Sequence, residues 1–220
     1  GYGYRRMIWP SIVVDNFFYD YHKIKSYGNT LKYKQDPRSL WPGERTDLLH
    51  TIDSDFFSWS TNKILSLIYP MRENIQWTAR QYFQKIDGNK YKSHGWIHRD
   101  HENTELTAII YLSEHKHCGT SLYKQKNFNK ERWSDKKHEY YKTLDIKYDT
   151  YREMLSDDFN KSVVFESIPN RLVMFDGAQY HAADGFEDFS IKEPRMTLIT
   201  FFESIHSLGL KYPLTESKRV

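Results

Sequence analysis

From about Trp77 onward the chain is a series of short apolar and β-branched stretches broken by turn residues. They run Arg80 to Ile86, Gly95 to Asp100, Leu106 to Leu112, Thr120 to Tyr123, Val163 to Ser167, Arg171 to Phe175, Gln179 to Ala182 and Arg195 to Glu203. A strand of this length cannot bury a face by itself. So many in close succession must pair into two packed antiparallel layers. The pattern predicts a mainly β fold with flanking α-helices, a jelly roll or double-stranded β-helix of cupin-like form. With 220 residues the chain reads as one domain, 1–220, since β-rich single domains run to about 200–250 residues. Residues 1–76 form the N-terminal helical flank, 77–203 the core, and 204–220 a C-terminal tail. Gly1 in place of a starting Met reads as a trimmed terminus.

The flank opens with a short strand at Ser11-Ile12-Val13-Val14. Asp20 is placed to cap a helix carrying Ile24, Tyr27 and Leu31 at helical spacing. Pro37, Pro42 and Gly43 mark a loop. A second helix is expected from about Ser54 to Tyr69, with Phe57, Ile64, Leu65 and Ile68 on one side and Pro70 ending it. One stretch, residues 124–161, interrupts the strand pattern with Lys, Asp, Tyr and Asn, and has a helical signal from Tyr148 to Phe159. An insertion of this length in a compact domain reads either as a lid or binding loop, with Trp133 and Tyr140-Tyr141 as aromatic contacts, or as an idle surface loop.

Within the strand series, Trp96-Ile97-His98-Arg99-Asp100 carries chemistry. Residues two apart on a strand share a face, so His98 and Asp100 can reach one ion while Arg99 points away. A third ligand must come from elsewhere, and His181 is the candidate. Two His and one carboxylate with open positions hold non-haem Fe(II). His115-Lys116-His117-Cys118 also offers soft ligands, but its polar setting reads as a solvated connection. His94 and Trp96 are placed near the mouth of the site, and His101 in a loop.

Composition narrows the class. A net charge of +3 with mixed Lys and Glu gives no basic block to track phosphates, so nucleic acid is unsupported as a partner. The lone cysteine, Cys118, excludes a disulfide framework within the chain and fits a reducing compartment; with no apolar run of about 18 residues, the expectation is a cytoplasmic protein with no membrane span. The sequence is silent on oligomeric state.

Several elements fall in a familiar order: the His98-Arg99-Asp100 segment, Ala108-Ile109-Ile110-Tyr111-Leu112, Cys118-Gly119-Thr120, Asn170-Arg171-Leu172-Val173-Met174-Phe175-Asp176-Gly177, His181, and Arg195-Met196-Thr197. Together they resemble the Fe(II)- and 2-oxoglutarate-dependent dioxygenase superfamily, in its prolyl-hydroxylase-like branch, over about residues 78–203. Val14-Asp15-Asn16-Phe17 and Trp41-Pro42-Gly43-Glu44-Arg45-Thr46 look like an uncharacterised phage and bacterial group of such proteins. The resemblance implies Fe(II) on His98, Asp100 and His181, with 2-oxoglutarate as co-substrate, O2 as oxidant and ascorbate as an in vitro aid. It also implies Arg195 beneath the far carboxylate of 2-oxoglutarate, with Thr197 and Tyr111 beside it, and release of succinate and CO2. Asp100 stands where halogenating relatives carry a small residue, which favours hydroxylation or a related oxidation. The implied substrate is a peptide or small molecule. The chain departs from the family in having Cys118-Gly119 where two glycines are common, and in its long gap from Asp100 to His181.

Rival readings exist for Arg195, as an ordinary strand-edge charge or a partner of Glu203, and for Tyr111 and Thr197, as plain core. Two other classes fit the same fold: a cupin-like isomerase or hydrolase using Zn or Mn, which has no use for Arg195, and a non-catalytic jelly-roll binding or structural protein with no metal dependence.

Overall fold

The structure is a computed structural model that describes residues 5–7, 9–37, 43–69, 75–100, 103–126, 143–144, 148–189, 192–207 and 216–218. Its strands are β1 (Arg5–Met7), β2 (Ile12–Val14), β3 (Gly43–Arg45), β4 (Ile75–Ile86), β5 (Leu106–Tyr111), β6 (Thr120–Gln125), β7 (Phe159–Phe165), β8 (Leu172–Asp176), β9 (Tyr180–Ala183), β10 (Arg195–Ser207) and β11 (Glu216–Lys218). The helices are α1 (Tyr21–Thr30), α2 (Leu49–Ile52), α3 (Ser54–Leu65) and α4 (Tyr148–Ser156). A six-stranded antiparallel sheet has the order β2-β8-β5-β10-β4-β3, and a smaller one the order β7-β6-β9. β1 and β11 pair separately. This is the double-stranded β-helix expected from the strand pattern.

The large sheet buries both faces, and alternation along each strand sorts the side chains. Leu106, Ala108 and Ile110 of β5, Met196, Leu198 and Phe202 of β10, and Leu172 and Met174 of β8 face the helices, where they join Ile64 and Leu65 of α3 and Trp9, Phe17 and Phe18. Full burial of such a side chain contributes about 1.5–3 kcal/mol. The opposite face presents Ile109, Tyr111, Val173, Phe175, Ile199 and Phe201 toward Leu122 and Phe165 of the small sheet. The candidate site lies on this inner face.

The helices form where local chemistry stops the chain from extending. Asp20 caps α1 by accepting from His22 N at 3.1 Å. Asp53 caps α3 by accepting from Phe56 N at 3.0 Å, and its other oxygen accepts from Tyr27 Oη of α1 at 2.6 Å. Gly28 lets α1 lie directly on the sheet, because a Cβ there would collide with Met196 and Phe83. Asn170, at φ 66°, is bonded in both directions to the Phe18 backbone, Oδ1 from N and Nδ2 to O, each at 2.8 Å. The N-terminal arm is thereby fastened to the β7–β8 turn.

Several expected boundaries differ. Gly43 opens β3, an edge strand, and does not sit in a loop, because its partner Ile86 extends the sheet there. The helix expected from Ser54 to Tyr69 ends at Leu65, with Ile68 and Tyr69 still buried against the core. Gly95 to Asp100 is not a ladder strand: it meets β9 through an isolated bridge at His98↔His181, and a second bridge, His94↔Asp184, lies just beyond both. The ends of the 124–161 stretch are strand, Lys124 and Gln125 pairing with Asn160 and Phe159, so Phe159 belongs to β7 and not to the helix. The helical signal is met by α4, whereas residues 127–142 and 145–147 of the expected lid, with Trp133, Tyr140 and Tyr141, lie outside the described residues, as do Trp41, Pro42, Pro70 and His101. The tail expected at 204–220 contains the end of β10 and all of β11. Among the described residues no helix is long and apolar enough to cross a membrane.

Candidate metal centre

His98 and His181 sit directly opposite each other in a narrow antiparallel bridge, exchanging backbone hydrogen bonds of 3.0 and 2.9 Å. Residues so paired project to the same face, which brings their rings to 4.5 Å between centroids. Asp100, two residues along, is held in line by its N–H to Gly177 O at 2.9 Å. Asp100 Oδ1 lies 3.3 Å from His181 Nε2 and 3.6 Å from His98 Nε2. One ligating atom from each of the three falls within 4.8 Å of the others, an arrangement able to hold one metal ion. The structure thus brings His98, Asp100 and His181 together, although the segment that carries the first two pairs only at single bridges.

The surroundings orient each donor. His98 Nδ1 bonds Trp96 O and His181 Nδ1 bonds Gln179 O, both at 2.8 Å. A carbonyl only accepts, so Nδ1 carries the proton in both rings and each Nε2 presents a lone pair toward Asp100 Oδ1 when the ring is neutral. Thr107 Oγ1 donates to Asp100 Oδ2, which leaves Oδ1 for the cluster. Burial pushes Asp100 up, but the charges and hydrogen bonds of His181 and His98 override it and hold the carboxyl well below the usual range. Burial lowers His181, and Asp100 overrides that effect and raises it. His181 is wedged against Phe175, with ring centroids 4.7 Å apart, whereas the His98 side chain is 42% exposed and marks the open side of the cluster.

Arg195 lies on the same inner face and is fully enclosed. Its Nε donates to Cys118 O at 2.5 Å and an Nη to Gly119 O at 3.0 Å. Gly119 is the residue that fits, because a Cβ would collide with Phe165 O. The guanidinium lies 5.4 Å from the Tyr111 ring and 6.0 Å from the Phe186 ring. Burial lowers its pKa, with Tyr111 supporting the charge. Among the described residues no carboxylate pairs with Arg195, and Glu203 is bonded to Arg80 instead. Thr197 Oγ1, two residues along β10, is buried with no hydrogen-bond partner. A buried cation without an anion and a buried hydroxyl without a partner, side by side, are unusual in a folded core. Tyr111, whose pKa burial raises, donates its phenol to Thr120 Oγ1 at 2.7 Å.

The structure corrects two smaller expectations. His115 and Cys118 are buried, His115 stacked on Phe189 at 4.5 Å, so this segment is core and only Lys116 and His117 are solvated. His94 stands four positions before His98 while its bridge partner Asp184 stands three after His181, a bulge that reverses parity. His94 therefore turns toward Tyr123 on the outer face of the small sheet, 6.1 Å between rings, and burial lowers its pKa. Thr107 and Gly119 were missed at the sequence level; Thr107 shares the strand face of Tyr111, which was the available signal.

Fold and cluster together define a double-stranded β-helix protein with a His-Asp-His centre. The chain belongs to the family described as "Family of unknown function (DUF6445)", whose sequence profile matches residues 6–202. No curated protein matches. Among solved structures, it is similar to the epimerase SnoN in complex with Fe3+, alpha ketoglutarate and nogalamycin RO, at TM-score 0.55, 11% identity and coverage of 93% of this chain and 86% of that one. It is also similar to HygX from Streptomyces hygroscopicus with nickel and 2-oxoglutarate bound, at TM-score 0.50, 11% identity and coverage of 91% and 84%. A Pseudomonas putida prolyl-4-hydroxylase overlaps at TM-score 0.47 and 10% identity, covering 88% and 91%, too loosely to separate branches of the fold.

Proposed function

We propose that the chain is an Fe(II)- and 2-oxoglutarate-dependent dioxygenase that hydroxylates a small-molecule or peptide substrate. The observation that carries this reading is the pairing of the His98, Asp100 and His181 cluster with Arg195 and Thr197 on one enclosed face. A metal-only isomerase or hydrolase would use the cluster but has no need of a buried guanidinium and an unsatisfied hydroxyl beside it. SnoN and HygX, which share the fold, carry alpha ketoglutarate or 2-oxoglutarate in their solved structures.

In this reading His98 Nε2, His181 Nε2 and Asp100 Oδ1 hold the iron, and the Nδ1 bonds keep both rings in the ligating tautomer. Thr107 fixes which Asp100 oxygen faces the metal. Arg195 and the Thr197 hydroxyl receive the far carboxylate of 2-oxoglutarate, where a guanidinium offers charge-assisted hydrogen bonds. Tyr111 and Phe186 wall the guanidinium from water, which strengthens its pull on that carboxylate. Iron and 2-oxoglutarate, when bound, supply the oxidising chemistry with O2 and yield succinate and CO2. SnoN, which shares the fold, is an epimerase; the carboxylate of Asp100 speaks against halogenation, and succinate release does not depend on which other oxidation the substrate undergoes. Succinate release with Fe(II), ascorbate and 2-oxoglutarate is the test. Turnover lost in His181→Ala and Asp100→Ala supports the reading, and a wild-type protein that neither binds nor consumes 2-oxoglutarate rejects it.

A further inference from the structure

One peptide unit of the β8–β9 turn stands behind the metal cluster. Asp100 N donates to Gly177 O, and that carbonyl belongs to the Gly177–Ala178 peptide. The C=O and N–H of a trans peptide point in opposite directions, so whatever grips Ala178 N aims Gly177 O. The grip is Asp176 Oδ1, which accepts from Ala178 N at 2.9 Å. Glycine is needed at 177, because a Cβ there would come to 2.7 Å from Thr104 O. Glycine is also the residue whose backbone dihedrals are least restricted, so local sterics do little to hold the peptide that follows it. The residue that the turn requires is thus the one that would let Gly177 O tilt away from Asp100. Gln179 N closes the turn on Asp176 O at 3.0 Å, and Gln179 O accepts from His181 Nδ1 at 2.8 Å, so a second ligand depends on the same few residues.

The other oxygen of Asp176 reaches the N-terminal arm. Oδ2 accepts from Trp9 N at 3.2 Å. Trp9 Nε1 donates to Glu105 Oε2, also at 3.2 Å, and Glu105 O accepts from Gly177 N at 3.1 Å. Asp176 shares the strand face of Leu172 and Met174, so it is buried with Trp9 on the helix side of the large sheet. A carboxylate enclosed there carries a desolvation cost that an apolar residue would not. Each of its oxygens serves a backbone N–H, and one of these directs a metal ligand. We propose that Asp176 is a positioning residue of the metal centre: its carboxylate locks the Gly177–Ala178 peptide so that Gly177 O holds Asp100 in line, and Trp9 keeps that carboxylate turned toward the peptide. Seating of the N-terminal arm and metal affinity are thereby coupled, each favouring the other. The proposal rests on the metal-binding part of the oxygenase reading and not on 2-oxoglutarate.

Calorimetric titration of the full chain with Mn(II), together with the visible absorption spectrum of Co(II) at saturation, separates ligand positioning from stability. Asp176→Ala removes both bonds and should weaken Mn(II) binding by about tenfold or more, as for other groups that orient a metal ligand, and alter the Co(II) spectrum. Asp176→Asn keeps an acceptor for Ala178 N and turns an amide NH2 toward Trp9 N, so it should keep the wild-type spectrum and lose less affinity than Asp176→Ala. Should Asp176→Ala fail to fold, Asp176→Leu, apolar on an apolar face, is the second variant and should show the same loss. Ile64→Val in α3 lowers Tm without touching the turn and should leave Mn(II) affinity and the spectrum as in wild type. Unchanged Mn(II) affinity or an unchanged Co(II) spectrum in folded Asp176→Ala or Asp176→Leu overturns the proposal. Equal loss in Asp176→Asn overturns it too, as does equal loss in Ile64→Val, which would trace the effect to stability. A wild type that binds no Mn(II) removes the metal cluster and the proposal together. A wild type that binds Mn(II) without 2-oxoglutarate rejects the oxygenase reading, and the loss in Asp176→Ala would still support this role.

Discussion

Arg195→Met replaces an enclosed guanidinium with an unbranched apolar chain of similar length, and its effects on folding and on binding should separate. In the metal-free protein two terms oppose each other. Removing a buried cation that has no carboxylate partner among the described residues relieves a desolvation cost, while Cys118 O and Gly119 O each lose a donor, at about 1–3 kcal/mol apiece. The Tm of the free protein should therefore move little. Binding has no such compensation. On the proposed function, leaving the far carboxylate of 2-oxoglutarate without its buried partner should cost on the order of 2–5 kcal/mol, a loss of roughly thirtyfold or more in affinity. With Mn(II) present and 2-oxoglutarate at about a hundred times the wild-type Kd, binding stabilises wild type by about 2.7 kcal/mol, or roughly 5–10 °C for a chain of this size. A thirtyfold weaker site leaves under about 1 kcal/mol at the same concentration. Differential scanning calorimetry with and without 2-oxoglutarate reads both quantities. A ligand-induced shift in Arg195→Met equal to that of wild type would refute the assignment of the co-substrate carboxylate to this guanidinium.

Thr107→Val keeps shape and removes the hydroxyl that holds Asp100 Oδ2, so Mn(II) affinity measured by calorimetry should fall by about 10–100-fold, as for other partners that orient a metal ligand; unchanged affinity would show that Asp100 is positioned without it. The Tyr27–Asp53 bond joining α1 to the cap of α3 predicts an alkaline limit. Burial, reinforced by the bond to Asp53, pushes the Tyr27 phenol up to about 12, so its contribution to stability is complete below about pH 10, where a free tyrosine begins to ionise, and is lost as pH rises through the folded value. Chemical denaturation from pH 9 upward should show that loss in wild type and a flatter profile in Tyr27→Phe; parallel profiles would refute it.

Much of the architecture was legible because local rules and tertiary structure agree. Apolar and β-branched runs between turn residues marked β5, β8 and β10, and Asp20 and the 3.6-residue spacing after it marked α1. Where local and long-range demands diverge, reading failed. Asp53 is an N-cap in plain view, but the short α2 before it carries too few residues to show a period. The polar look of His115-Lys116-His117-Cys118 hid the fact that Phe189 and Gly185, some 70 residues downstream, cover its first and last residues. No local pattern announces β1 and β11, each of which exists as strand only through the other.

The sequence by itself determined the donor chemistry: His98 and Asp100 at the two-residue spacing of one face, a second histidine on a later strand, and Arg195 and Thr197 on one face of the last long strand. These follow from chain geometry within a segment, which residue order alone specifies. Only the tertiary structure decided how the groups meet. The single bridge between His98 and His181 aligns two segments that are 83 residues apart, and the bulge beside it sends His94 to the opposite face. The burial of Arg195 between two carbonyls and the unsatisfied hydroxyl of Thr197 depend on register between strands distant in sequence. Register is set by the packing of whole sheets against helices and against each other, and that is a property no single stretch of residues contains.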